Sequence, residues 1–160
     1  MQFTQSMSYP GTVDEVVTMY LTPTYLERRF GQFVVEGSST VSVEGQRVSF
    51  AGTVRPELIP AAVTRFVKSD LRITFTEEWV TNEAGAASHT SVTVDGAPVS
   101  VEATSTLAPA EAGSVRDVTG NVSVRVPLLG GRIEKEAVAH LGPIVEREQA
   151  LATQWLEEHR

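Results

Sequence analysis

The sequence contains no cysteine. A disulfide framework, a thiolate metal site and a cysteine nucleophile are therefore excluded. Histidine is also scarce. His89, His140 and His159 are scattered, and none forms the i, i+4 pair of a helical zinc site. No metal and no cofactor is expected on these grounds. No apolar run approaches the ~18 residues that cross a bilayer. The opening MQFTQSMSYP has neither a basic start nor an apolar stretch, so no secretory signal is read there and a cytoplasmic protein is expected. Positive charge is in short supply: 13 Lys and Arg face 20 Asp and Glu, a net charge of −7. A nucleic-acid backbone is therefore not an expected partner. The 160 residues suit one domain, 1–160, which needs no covalent staple.

Several segments carry a clear period. Phe3, Gln5, Met7 and Tyr9 alternate with polar neighbours, which predicts a strand with one apolar face. Pro10-Gly11 stops it, and Thr12 with Glu15 forms a capping box that opens a helix. Thr22-Pro23 opens a second short helix, with Gly31 placed to close it. Six strands are expected next. The first two are Phe33–Val43 and Gln46–Val54, about a Glu44-Gly45 turn. The others are Leu71–Val80, Thr90–Val94, Val99–Leu107 and Val115–Val126. One or two helical turns fit Ala61–Lys68 between them. In the last strand the apolar phase changes from odd (Val115) to even (Val118, Val122, Val124), which predicts a β-bulge near Asp117. From Gly131 the period becomes helical through Glu158, with a kink or brief break expected at Pro143.

This order predicts an α+β chain in which a curved antiparallel sheet of about seven strands wraps one long C-terminal helix. Gly37, Ser39, Gly52, Ala103 and Gly120 fall at inward positions. Such small residues either leave a cavity or make room for a close neighbour. LRITFTEEW (Leu71–Trp79), DGAPVSVEATSTLAP (Asp95–Pro109) and VPLLGGRIEK (Val126–Lys135) resemble segments of the START-like superfamily. This is the polyketide cyclase/lipid transport, birch-pollen-allergen-like group also labelled SRPBCC. The nearest resemblance is to an uncharacterised family found mainly in actinobacteria. It implies a helix-grip fold with an internal cavity for a hydrophobic ligand, and it transfers no catalytic residue.

Glu77 is the most informative residue. It shares a strand face with Leu71, Phe75 and Trp79 while Glu78 faces the polar side. An acid on an apolar face either acquires a raised pKa suited to proton donation or anchoring, or pairs with an arginine or reaches water. His140 flanks the apolar side of the C-terminal helix beside Ala137, Leu141 and Ile144. It is either a hydrogen-bonding or basic group of a site, or a half-exposed flank residue. Gln5, Phe50, Phe75, Glu77, Trp79, Val101, Ala137, His140, Leu141 and Ile144 are the candidate ligand-binding residues. Gly130-Gly131 resembles a phosphate cradle only weakly, and Glu134 beside it is expected to stabilise the helix start. Glu146, Glu148, Glu157 and Glu158 read as a solvated acidic face. Three functions follow, in order: binding or carriage of a small hydrophobic molecule such as a lipid, isoprenoid or polyketide; a cyclase or hydratase using Glu77 or His140 as acid or base; and an interaction module, with a monomer or a homodimer both allowed.

Overall fold

Strand β1 (Gln2–Tyr9) turns its odd residues inward, burying Met7 and Tyr9. The capping box forms as expected at the start of α1 (Val13–Tyr20). The Thr12 hydroxyl accepts from the Glu15 N–H, and the Glu15 carboxylate accepts from the Thr12 N–H. Helix α2 (Pro23–Phe30) carries its proline in the first turn. Gly31 caps the C-terminal end of α2, as expected, but without a left-handed turn. It stays right-handed at φ −56° and leads into a short 3₁₀ turn, Gly31–Phe33. The computed structural model describes residues 1–59, 61–64 and 70–160, apart from the side chains of residues 62 and 63.

Six further strands follow: β2 (Thr40–Glu44), β3 (Arg47–Thr53), β4 (Arg72–Asn82), β5 (Gly85–Asp95), β6 (Val99–Ala110) and β7 (Gly113–Val124). They form one antiparallel sheet in the order β1-β7-β6-β5-β4-β3-β2. Helix α3 (Ala61–Thr64) supplies part of the helical turns expected before β4, and residues 65–68 of that expectation lie outside the described residues. Strand β2 starts later than its sequence suggests, because Phe33 belongs to the 3₁₀ turn and Val34 makes only an isolated bridge to Val54. The first hairpin turns at Gly45-Gln46, with Glu44 paired to Arg47 and Gly45 at φ 59°. The left-handed residue a primed turn needs is thus the glycine itself.

Two other corrections concern what faces inward. Strand β7 has no bulge: its register to β1 and β6 runs unbroken past Asp117. Its inward residues are even-numbered throughout, and two of them, Ser114 and Arg116, are polar. Gly37 and Ser39 are exposed. Gly52 and Gly120 do face inward, but their space is taken: a Cβ on Gly52 would lie 2.8 Å from the Val34 side chain, and one on Gly120 2.4 Å from the Phe3 ring.

The C-terminal helix is two helices, α4 (Gly130–Ala139) and α5 (Leu141–Glu158), parted at His140. The break comes three residues before Pro143, which leaves the proline in the first turn of α5, where a missing N–H costs little. Gly130 is required by a close approach, since a Cβ there would stand 2.3 Å from the Val124 carbonyl oxygen. Glu134 does not serve the helix start but accepts from the Val124 N–H at 3.0 Å. Helix α4 packs with Val122, Val124 and Val126. Helix α5 buries Ala152, Trp155 and Leu156 against β1, α1 and Tyr25 of α2. Among the described residues no helix is long and apolar enough to cross a membrane.

The filled space at Gly52 is testable. Val34 is buried and β-branched, so it yields little. Gly52→Ala is expected to lower unfolding free energy in urea by about 1–3 kcal/mol, the usual cost of overpacking. A neutral or stabilising result would show instead that room remains at this position.

Candidate functional site

The interior face of the sheet carries charge at its centre. Registry places Glu77 of β4 opposite Thr90 of β5, and Trp79 opposite Ser88. Ser88 lies opposite Ser105 of β6, and Arg116 of β7 lies opposite Leu107. Four neighbouring strands thus converge on one carboxylate and one guanidinium. Glu77 and Arg116 are 1% and 3% exposed, and their charges meet at 2.9 Å. Arg116 also donates to Ser105 at 3.0 Å and Ser88 at 3.1 Å. Glu77 accepts from the Trp79 indole N–H at 3.0 Å and the Thr90 hydroxyl at 2.7 Å. The Arg116 guanidinium lies 4.8 Å from both the Tyr20 and Trp79 ring centres. Those two rings stack on one another at 5.5 Å.

A second pair closes the cluster from the helices. Arg29, in the last turn of α2, meets Glu148 of α5 at 2.5 Å, and its Nη1 stands 4.0 Å from Glu77. Tyr20 donates to the same Glu148 at 3.4 Å and shares a 2.7 Å hydrogen bond with Tyr9. The Arg29 guanidinium sits among Tyr20, Phe30 and Phe75, 4.7–5.1 Å from their ring centres. The cluster holds two cations and two anions, so its formal charge is zero. Its hydrogen bonding is incomplete: among the described residues, Arg29 Nε and Nη1 and the Tyr25 hydroxyl are buried without a partner.

Burial is the largest influence on Glu77 and acts to raise its pKa. The opposing pull of Arg116 and Arg29, with hydrogen bonds from Thr90 and Arg116, outweighs it and holds the carboxyl below its ordinary value. The raised pKa expected of an acid on an apolar face is thereby corrected: Glu77 is an ionised acceptor. Burial also pushes the Tyr20 and Tyr25 phenols up, so both stay neutral at ordinary pH.

The ten residues singled out in the sequence lie in several places. Phe50 and Phe75 are cross-strand partners beneath Phe30. With Glu77 and Trp79 they line the buried face of the sheet. Val101 and Ala137 pack instead with the β7–α4 cluster. Gln5 is half-buried opposite Val118, and Leu141 is half-buried at the start of α5. His140 is exposed, with Nδ1 2.7 Å from the Glu136 carbonyl oxygen. The structure therefore does not bring His140 and the buried Glu77 together. Ile144 is exposed and borders a recess of about 60 Å³ between α2 and α5, with Arg29, Phe30, Phe33, Glu148 and Leu151. Sequence reading missed Arg29, Arg116 and Glu148. Glu148, assigned to a solvated face, instead pairs with Arg29.

Removing one partner of a buried pair leaves the other charge uncompensated, which costs about 3–5 kcal/mol. Glu77→Gln and Arg116→Met are each expected to lose that much in chemical denaturation. The double variant, which stays charge-balanced, is expected to lose less than either alone. The lowered Glu77 pKa gives the pH sign. Its stabilisation is complete above the ordinary value of 4.5 and is lost as pH falls through the lower folded value. Wild-type stability should therefore fall more steeply below about pH 4.5 than that of the double variant. Additive single costs, or identical acid slopes, would contradict the coupling.

Comparison with known proteins agrees with this architecture. The crystal structure of norcoclaurine synthase from Thalictrum flavum in complex with dopamine and hydroxybenzaldehyde superposes with a TM-score of 0.62 at 15% identity, covering 100% of this chain and 88% of that one. A conserved protein from Geobacillus kaustophilus superposes with a TM-score of 0.61 at 16% identity, covering 99% and 96%. These likenesses establish the fold, a curved antiparallel sheet gripping the C-terminal helices. In sequence the chain is 27% identical over 166 residues to the uncharacterized protein Rv0481c of Mycobacterium tuberculosis strain H37Rv, covering 96% of this chain and 95% of the relative. The model of a family described as protein of unknown function (DUF2505) matches residues 4–156, and the chain belongs to that family.

Proposed function

We propose that the protein binds a small, mainly apolar molecule in the recess between α2 and α5. The observation that carries this is the composition of the recess. Phe30, Phe33, Ile144 and Leu151 supply apolar walls, Arg29 and Glu148 supply a polar end, and Gln32 and the exposed Arg147 complete the rim. Apolar walls with a few placed polar groups are the usual make-up of a small-molecule site. The fold gives support, since norcoclaurine synthase, which shares it, has been crystallised with two small aromatic molecules. At about 60 Å³ the recess is well below the roughly 300–1,000 Å³ of a drug-sized site. It suits a small ligand, or one end of a lipid, isoprenoid or polyketide whose remainder lies along the exposed Ile144 edge. Phe75 and Glu77 act from beneath, through the ring and charge they present to Arg29. Proton donation by Glu77 is disfavoured, because both its oxygens already accept hydrogen bonds and its carboxyl is held ionised.

The test is denaturing solvent extraction of the purified protein with mass spectrometry, beside a native mass of the intact chain. A stoichiometric apolar adduct is expected. Ile144 is exposed, so Ile144→Arg should fold normally and lose the adduct or weaken binding at least tenfold. An adduct retained undiminished in that variant would place the ligand elsewhere. An empty wild-type mass, with no response to added small aromatic molecules, would overturn the function.

A further inference from the structure

The polar end of the recess has a definite chemistry, and the inference drawn from it rests on the binding function just proposed. Each guanidinium carries five N–H donors and no acceptor. Both Glu77 oxygens are engaged, Oε1 by Trp79 and Oε2 by Thr90 and Arg116. Glu148 meets both Arg29 and Tyr20 through one oxygen, Oε1. Arg29 Nε and Nη1 nevertheless have no acceptor among the described residues. The Tyr25 hydroxyl, which can donate or accept, is unpartnered too, so among the buried unpartnered groups donors outnumber acceptors. The charges of the buried end are already balanced: Glu77 and Glu148 against Arg29 and Arg116. Arg147 also borders the recess, over the Phe33 ring, but it is exposed, and water screens its charge from the buried end. A carboxylate entering beside Arg29 would relieve the donors and leave one uncompensated negative charge in a buried setting. An ammonium group would add a positive charge and no acceptor. An uncharged oxygen meets the shortage and leaves the balance intact.

Arg29 and Phe30 both border the recess, and the Phe30 ring lies 4.7 Å from the Arg29 guanidinium. The polar end and the apolar wall are therefore adjacent.

We infer that the ligand is uncharged and carries a hydrogen-bond-accepting oxygen, as in a ketone, ester or alcohol, which takes a hydrogen bond from Arg29. The charge-balanced ion pair at the end of the recess selects it over carboxylates and amines.

Three probes of one shape on the full chain test this: acetophenone, isopropylbenzene and benzoate, titrated by ¹H–¹⁵N NMR with the arginine Nε–H signals observed. Acetophenone is expected to bind at least tenfold more tightly than either of the others and to shift the Arg29 Nε–H or guanidinium resonance. In Glu148→Gln the cluster carries one excess positive charge, and benzoate should become the strongest of the three. If acetophenone and isopropylbenzene bind wild type equally, the acceptor inference fails while the binding function stands. If benzoate is strongest in wild type, the charge-balance selection fails. If none shifts any residue of the recess, the recess itself is not the site and both fall. Should Glu148→Gln not fold, the wild-type ranking and the Arg29 resonance decide alone. The double variant Arg29→Met with Glu148→Gln keeps the balance and should bind acetophenone and isopropylbenzene alike.

Discussion

The contact between Glu77 and Arg116 constrains the rest of the molecule. Each group alone would be expelled from the interior, since an isolated buried charge loses far more in hydration than packing returns. Together they stay, provided their remaining valences are met. Meeting them recruits Ser88, Thr90, Ser105 and Trp79 from the strands between and beside them. A slip of one residue in β5 or β6 would turn those hydroxyls to the opposite face and strand both charges. The pair therefore acts on register. Its net contribution to stability is small beside the penalty for breaking it.

The same pair limits the interior space that the proposed ligand could occupy. A curved sheet closed by one helix face has room to enclose an apolar cavity. Here that space holds two guanidinium groups caged by Tyr20, Trp79, Phe30 and Phe75. The small residues that hint at a void serve their neighbours: Val34 occupies the space over Gly52 and Phe3 that over Gly120. The recess between α2 and α5 lies outside this filled interior, at its rim. The polar interior is thus the reason that the proposed site is small and has a charged pair at its end.

Much of the fold was legible because it is written in apolar periods. The β1 alternation, the Thr12–Glu15 capping box, the strand around Phe75 and the helical C-terminus each stand where their patterns put them. Glu77 stood out because it breaks such a pattern. Arg116 breaks one too, but in a way that misleads: an inward arginine followed by apolar residues of the same parity looks like a change of phase, and hence like a bulge. Counting apolar residues alone cannot tell a polar side chain turned inward from a strand that has shifted by one. The partner needed to choose between them, Glu77, lies 39 residues away in the chain. Arg29 and Glu148 were hidden for a similar reason. Each sits on a helix among ordinary surface residues, and only the crossing of α2 and α5 makes them neighbours.

The two ion pairs are graded in depth, and the grading bears on how the site works. Glu77–Arg116 is all but sealed, at 1% and 3% exposure, whereas Glu148 and Arg29 retain 17% and 11% of side-chain exposure. Coulomb attraction weakens as the local dielectric rises, and lost hydration is regained in the same measure. Separating the outer pair is accordingly the cheaper change. Helix α5 carries one half of the outer pair and none of the inner. A shift of α5 away from α2 would widen the recess at the expense of the outer pair while the inner pair held the sheet in register. The division of charge between sheet and helix would therefore let the rim yield to the proposed ligand without loosening the core beneath it.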